Sequence, residues 1–214
     1  MKKLLLILAI AVLVPALANA QSSGNTNFNY SADGTACVDA AGALSGGGVT
    51  ALSTALKVSS GNGVAIVVRP SAVTGLLTDV TVKGSGGGGT QTSSAQASVT
   101  AQVTVKPLNG QTGQTVTPSV PITYDDRFLQ ISTNLFNVLT QCTTTTPCFF
   151  TINETTLSAH SFDFVVQNLQ SGDYELTVTF AANGTVGSAL ECVGPVVITA
   201  TQVKMFQQST GISF

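Results

Sequence analysis

From residue 95 to 106 the chain alternates without a fault. Ala95, Ala97, Val99, Ala101, Val103 and Val105 fall on one side, and Gln96, Ser98, Thr100, Gln102, Thr104 and Lys106 on the other. Successive side chains of a strand point to opposite faces, so this pattern predicts a strand with one buried face. Residues 76–83 precede it across a Gly/Ser-rich stretch, 84–94, and the two arms predict a hairpin with a loose tip. Residues 64–68 are an unbroken apolar run ended by Arg69-Pro70, the pattern of a strand buried on both faces. The turn Ser59-Ser60-Gly61-Asn62-Gly63 feeds it.

The other segments are read the same way. Phe28 and Tyr30 alternate with Asn27, Asn29 and Ser31, which suits a short edge strand. Residues 41–48 predict a bend, and 49–58 fit a helix or a strand equally well. Residues 107–121, rich in Gly, Thr and Pro, read as a linker or long loop. Short strands at 122–124 and 128–131 flank an expected turn at Asp125-Asp126, and 134–139 predict a helical turn. A strand starts at 148–152, and 157–166 places Phe162, Phe164 and Val166 on one face. Asn183-Gly184 signals a hairpin turn. Residues 195–206 close the chain, with Val196, Ile198 and Ala200 in phase; Val203 and Met205 are one residue out, which predicts a bulge near Thr201-Gln202.

Composition narrows the compartment. Met1-Lys2-Lys3, an apolar run to Leu17 and Ala18-Asn19-Ala20 make residues 1–20 a signal peptide cut after Ala20. The run is shorter than the roughly 20 apolar residues that span a membrane, so no membrane anchor is expected after cleavage. Losing Lys2 and Lys3 from eight basic residues leaves six against ten acidic ones. So few and so scattered positive charges leave no footprint for nucleic acid. The chain is expected to be secreted, periplasmic or on the cell surface. Dense Val, Ile, Leu and Phe predict a folded protein in spite of the low charge.

Four cysteines in an exported chain imply two disulfides, with three possible pairings. Cys142 and Cys148 lie six apart around Thr143-Thr144-Thr145-Thr146-Pro147, a spacing suited to a loop clip, which leaves Cys37 for Cys192. The loop-entropy model gives about 2 kcal/mol for the short clip and about 5 kcal/mol for the long one.

Reactive chemistry finds little support. His160, the one histidine, has Ser158, Ser161 and Asp163 beside it, but Ser161 and Asp163 fall on the opposite strand face and no Gly-x-Ser-x-Gly occurs. The Gly84–Gly89 run is followed by Thr, Gln and Ser rather than a helix, so it offers a phosphate no helix N-terminus. Asp125-Asp126 lacks calcium-loop spacing. Asn153-Glu154-Thr155 and Asn183-Gly184-Thr185 match the glycosylation acceptor pattern. No catalytic residue, cofactor or metal site is expected.

The segment Leu169-Gln170-Ser171-Gly172-Asp173-Tyr174-Glu175-Leu176-Thr177-Val178 resembles the tyrosine corner of immunoglobulin-like β-sandwiches. The resemblance covers about residues 157–206 and implies that the Tyr174 hydroxyl bonds back across the corner as a structural residue. The chain has no Trp, and Cys192 falls after the corner strand, so an antibody-type core disulfide is not implied. The expected fold is all-β: an antiparallel, disulfide-stabilised β-sandwich, immunoglobulin-like or jelly-roll-like. A flexible arm at 21–36 precedes one sandwich domain at 37–214, or two sandwiches split near 107–121. The expected function is non-catalytic surface interaction, adhesion or an extracellular matrix role through a protein or surface partner. The alternative is a strand-exchanging filament subunit, a homo-oligomer in which 21–36 or 207–214 pairs with a neighbour. An outer-membrane component or a secreted hydrolase ranks below both.

Overall fold

The computed structural model describes residues 27–39, 50–59, 63–84, 92–132, 143, 145–146, 148–185 and 188–205. The described residues form β1 (Phe28–Asp33), β2 (Ala36–Asp39), β3 (Thr50–Val58), β4 (Val64–Gly84), β5 (Thr92–Pro107), β6 (Thr115–Thr117), β7 (Ile122–Ser132), β8 (Cys148–Ser161), β9 (Phe164–Gln167), β10 (Gly172–Gly184) and β11 (Ala189–Lys204). Two antiparallel sheets pack face to face. The first runs β1-β11-β4-β9-β6, with β2 also on β11 and β8 also on β4; the second runs β3-β10-β5-β7. Strands from either side of residues 107–121 share both sheets, since β4 pairs with β11 and β5 with β10.

The fault-free alternation is β5. Its inward Ala97, Val99, Ala101 and Val103 are buried in one cluster with Ile66, Val68 and Leu76, and Ala95 in a second with Val80 and Val82. Small alanines on β5 leave room for the large side chains of β10: Tyr174, Leu176 and Phe180 are all buried. Apolar surface removed from water is the main stabilising term here, at roughly 25 cal/mol per Å².

The expected hairpin between 76–83 and 95–106 does not form. Those segments belong to β4 and β5, which lie in opposite sheets with their apolar faces toward each other. The alternation fixes which face is buried but not which neighbour pairs. Likewise Asn183-Gly184 is no hairpin turn: it ends β10, opposite Ser98 and Ala97, and the chain then crosses to β11 in the other sheet. Within the expected arm at 21–36, residues 28–33 join the sheet as β1, which pairs with β11 from Phe28↔Thr201 to Asp33↔Val196, while 21–26 lie outside the described residues. Residues 50–58, readable as helix or strand, are β3. The bend at 41–48 and the helical turn at 134–139 lie outside the described residues.

β4 does not stop at Arg69-Pro70 but continues to Gly84. Its partners explain how a proline fits inside a long strand. β9 pairs with β4 up to Val68 and β8 from Ser71 onward, so Arg69 and Pro70 face a break at Phe162-Asp163. Proline has no N–H to give a ladder, and it sits where none is needed. Its carbonyl instead accepts the Tyr124 hydroxyl at 2.7 Å. The same break leaves Phe162 partly exposed, its ring edge-on to Phe164, while Phe164 and Val166 are buried.

Asp125-Asp126 is not a turn. Residues 122–132 form one strand, β7, in which Val99 faces Asp125 and Thr100 faces Thr123, leaving Tyr124 as the extra residue of a bulge. A bulge re-aims neighbouring side chains. Here it turns Tyr124 inward to reach the break in the opposite sheet. The bulge on β11 lies between Val193 and Val196, around Gly194-Pro195, not near Thr201. No shift is needed there because Gln202, though polar, takes the buried position after Ala200.

Candidate interaction surface

Both faces of the first sheet carry apolar side chains. On β4 the even-numbered residues from 64 to 82 are buried against the second sheet, and the odd-numbered ones point away from it, Ala65 being buried on that side too. The outward set includes Val67, Val73 and Leu77. In register beside them stand Leu157 next to Gly75, Phe149 next to Lys83, Val197 next to Ser71 and Leu190 next to Leu77. β1 adds Phe28 and Tyr30, paired with Thr201 and Thr199 on the same face. Leu157 is 79% exposed, Tyr30 64%, Phe149 63% and Phe28 59%.

At the centre Gly75 keeps the face flat. A Cβ there would lie 3.4 Å from the Cys192 Cβ and 3.7 Å from a Leu157 methyl, so Leu157 and the Cys37–Cys192 bridge flank a shallow apolar saddle. Polar pairs frame it: Thr81 with Thr151 at 2.8 Å, and Arg69 with Asp163 through two bonds of 2.5 and 2.6 Å. The hydrogen bond from Arg69 holds the Asp163 carboxyl below its usual range, against a smaller opposing effect of burial. Lys83 lies over the Phe149 ring, 5.6 Å from its centre.

The outward face of the second sheet differs. Thr100, Gln102 and Thr104 on β5 stand beside Thr179 and Thr177 on β10, with Ser53 on β3 bonding Thr177 at 2.8 Å. Phe128 is its one strongly exposed large apolar side chain among the described residues. Apolar character is therefore concentrated on one outer face, and isolated exposed apolar residues elsewhere are ordinary.

The residues singled out from sequence do not converge on a reactive centre. His160 is half-buried on the edge strand β8, facing Asp125 at 3.8 Å and the Tyr124 ring at 6.0 Å. Asp163 is taken by Arg69, and the Asp125 carboxylate accepts the Thr74 hydroxyl at 3.0 Å. Asp126 points outward to Gln96. Asn153 and Asn183 are both exposed. The glycine run 85–89 lies outside the described residues, as does Cys142, so its pairing with Cys148 is not described. The Cys37–Cys192 disulfide is formed, across the β2–β11 register.

Tyr174 is fully buried at the start of β10. Its hydroxyl accepts from the Gln170 N–H and donates to the Gln170 carbonyl, both at 2.9 Å. Residues 108–114, expected as part of a linker, lie over this corner. Asn109 accepts the Asp173 N–H through its side chain at 2.8 Å, and Gln111 spans from the Asn109 N–H to the Ser171 carbonyl. Gly172 permits this, having φ of 144° and standing where any Cβ would meet the Gln111 amide at 1.5 Å. Further along, β6 adds Thr115–Thr117 to the edge of β9.

Polar side chains also close both flanks of the sandwich. On one flank the Asn29 amide donates to the Ala55 carbonyl at 2.7 Å, and Asn27 donates to the Lys57 carbonyl and to Gln202. Two asparagines two residues apart thus meet two free carbonyls of edge strand β3 two residues apart. On the other flank, edge strands β7 and β8 turn charges inward, where Arg127 faces Glu154 at 3.9 Å and Asp125 faces His160. Inward-pointing charges make an edge unsuited to pairing with another strand. Sequence reasoning missed Asn27, Asn29, Tyr124, Arg127 and Glu154. Only the asparagines left a trace, as the polar partners in the Phe28–Tyr30 alternation.

No protein-family model matches the chain, and no curated protein does. Among solved structures, "Structure of Eiger TNF from S. frugiperda" is 10% identical, with a TM-score of 0.24, covering 87% of this chain and 96% of that one. "Crystal structure of dimeric latent PorU from Porphyromonas gingivalis" is 12% identical, with a TM-score of 0.22, covering 87% of this chain and 14% of that one. Likenesses this weak carry no argument about fold or function.

Proposed function

We propose that the protein is an exported, non-catalytic β-sandwich that works by contact, presenting the outward face of its first sheet to a protein or a surface outside the cytoplasm. The observation that carries this is the apolar outer face around Gly75, with Leu157 79% exposed and nothing among the described residues covering it. Contiguous exposed apolar side chains rimmed by polar residues mark interaction sites. Export rests on the leader-like residues 1–20, and the Cys37–Cys192 bridge suits an oxidising compartment. Among the described residues no helix is long and apolar enough to cross a membrane. The low charge and Thr-rich second face suit adhesion or a matrix role.

The test is a double variant, Phe149→Ser with Leu157→Ser, compared with the wild type for retention in the envelope or matrix fraction of the source cells. The reading expects loss of retention at an unchanged melting temperature; equal retention would remove this face from the function.

A second reading has its own observation. β1 is held at the sheet edge by its backbone and by asparagine side chains, with both aromatics turned outward. This favours a strand-exchanging subunit of an extracellular filament, and a monodisperse monomer in native mass measurement would count against it.

A further inference from the structure

β1 contributes no side chain to the core. The main apolar cluster starts at Leu52, and the inward positions of this segment hold Asn27, Asn29 and Ser31. Phe28 and Tyr30 stack on each other outside, with ring centroids 6.3 Å apart. Detaching the segment breaks a backbone ladder and a few amide contacts that water can replace, and it removes no apolar side chain from the core. The covalent tether comes after it, at Cys37–Cys192, and between them Gly34 and Thr35 pack closely on Gly194, where an added Cβ would lie 2.3 Å from the Gly34 carbonyl oxygen. The bridge and this contact hold the body, so the part that exchanges is the strand ahead of them, residues 27–33.

We propose that this strand exchanges between copies, so that residues 27–33 of one copy fill the slot between β11 and β3 of another. The proposal rests on the strand-exchange reading above and names its strand, its slot and its recognition chemistry. The slot selects an extended peptide with primary amides at alternate positions. One side offers the β11 ladder from Val196 to Thr201; the other offers the Ala55 and Lys57 carbonyls, with the Gln202 side chain between them. The strand's fit to this chemistry is already present within one chain. Tethering favours a copy's own slot by an effective concentration of about millimolar. The exchanged form repeats the same contacts between copies.

The test mixes two single variants of the mature chain, Tyr30→Cys and Thr199→Cys, which face each other in register. They are refolded together with Cys37–Cys192 intact and then oxidised mildly. Exchange predicts a disulfide between the two variants, as a dimer band or a ladder, mapped by peptide mass to positions 30 and 199. A double variant carrying both substitutions in one chain is the control for linkability. If the double variant closes internally while the mixture gives no link between chains, the proposal is overturned. Native mass of the wild type then separates the two failures. A multimer without the link means association through another surface, which leaves the filament reading standing; a monomer removes both.

Discussion

The side-chain amide of Asn29 donates to the backbone carbonyl of Ala55 at 2.7 Å, joining an edge strand of one sheet to an edge strand of the other. A side chain thereby does what a neighbouring strand would otherwise do for a free carbonyl. Replacing Asn29 with Ala removes the donor and leaves a carbonyl that water can reach. We expect a loss of about 0.5–1.5 kcal/mol. Asn29→Asp places a carboxylate against the carbonyl and should cost more. Urea unfolding with an unchanged m-value checks both.

Tyr124→Phe is expected to be more damaging than its single oxygen suggests. The hydroxyl donates to Pro70 and sits against the Phe162 backbone N–H, filling the break between β8 and β9; burial pushes its ionisation well above the usual tyrosine range. Phenylalanine keeps the edge-on packing against Phe180 but takes the hydroxyl partner from the Pro70 carbonyl and the Phe162 N–H. The expected cost is about 1–3 kcal/mol by chemical denaturation. Amide exchange should speed up first near Phe162.

The corner at Tyr174 gives a paired prediction. Tyr174→Phe loses both bonds to Gln170 and should cost about 1–2 kcal/mol. Gly172→Ala combines a positive φ with a clash against Gln111, and should destabilise by about 1–3 kcal/mol. Because both act on one corner, the double variant should lose less than the sum. Strict additivity in denaturant unfolding would mean that the 108–114 loop and the corner are independent.

The Arg69–Asp163 pair sets a pH dependence. The folded-state pKa of Asp163 is depressed chiefly by its hydrogen bond from Arg69. Its stabilisation is therefore fully present above the ordinary carboxylate value of about 4 and lost as pH falls through the lower folded value. Asp163→Asn should melt below the wild type at pH 7, with the gap closing on acidification. Both partners are more than a third exposed, so the gap will be small and will shrink further in salt.

Much of the fold is legible in the pattern of side chains, and the failures share a cause. The alternation of 95–105 shows which face of β5 is buried, and the Gly172–Tyr174 spacing marks the corner. Neither says which strand pairs with which: the expected hairpin between β4 and β5 and the expected turn at Asn183-Gly184 are both crossings between sheets. Asp125-Asp126 has turn composition but sits beside a bulge, where its first carboxylate is met by Thr74, 51 residues earlier. The outward face was half legible. The run at 64–68 reads as buried on both faces, and it is so at Ala65, which is outward yet fully buried, while Val67 on the same side is only partly buried. Its neighbours Leu157 and Phe28 arrive from distant segments through register, which local sequence does not encode.

The central claim is that the outer face around Gly75 is in contact with something in the protein's working location. Covalent footprinting tests it most directly, labelling side chains on intact source cells and again on the purified mature chain. Leu157 and Phe149 should be protected several-fold on the cells, while Phe128, exposed on the opposite sheet, serves as the internal reference and keeps its labelling. Equal labelling of Leu157, Phe149 and Phe128 in both settings would contradict the account.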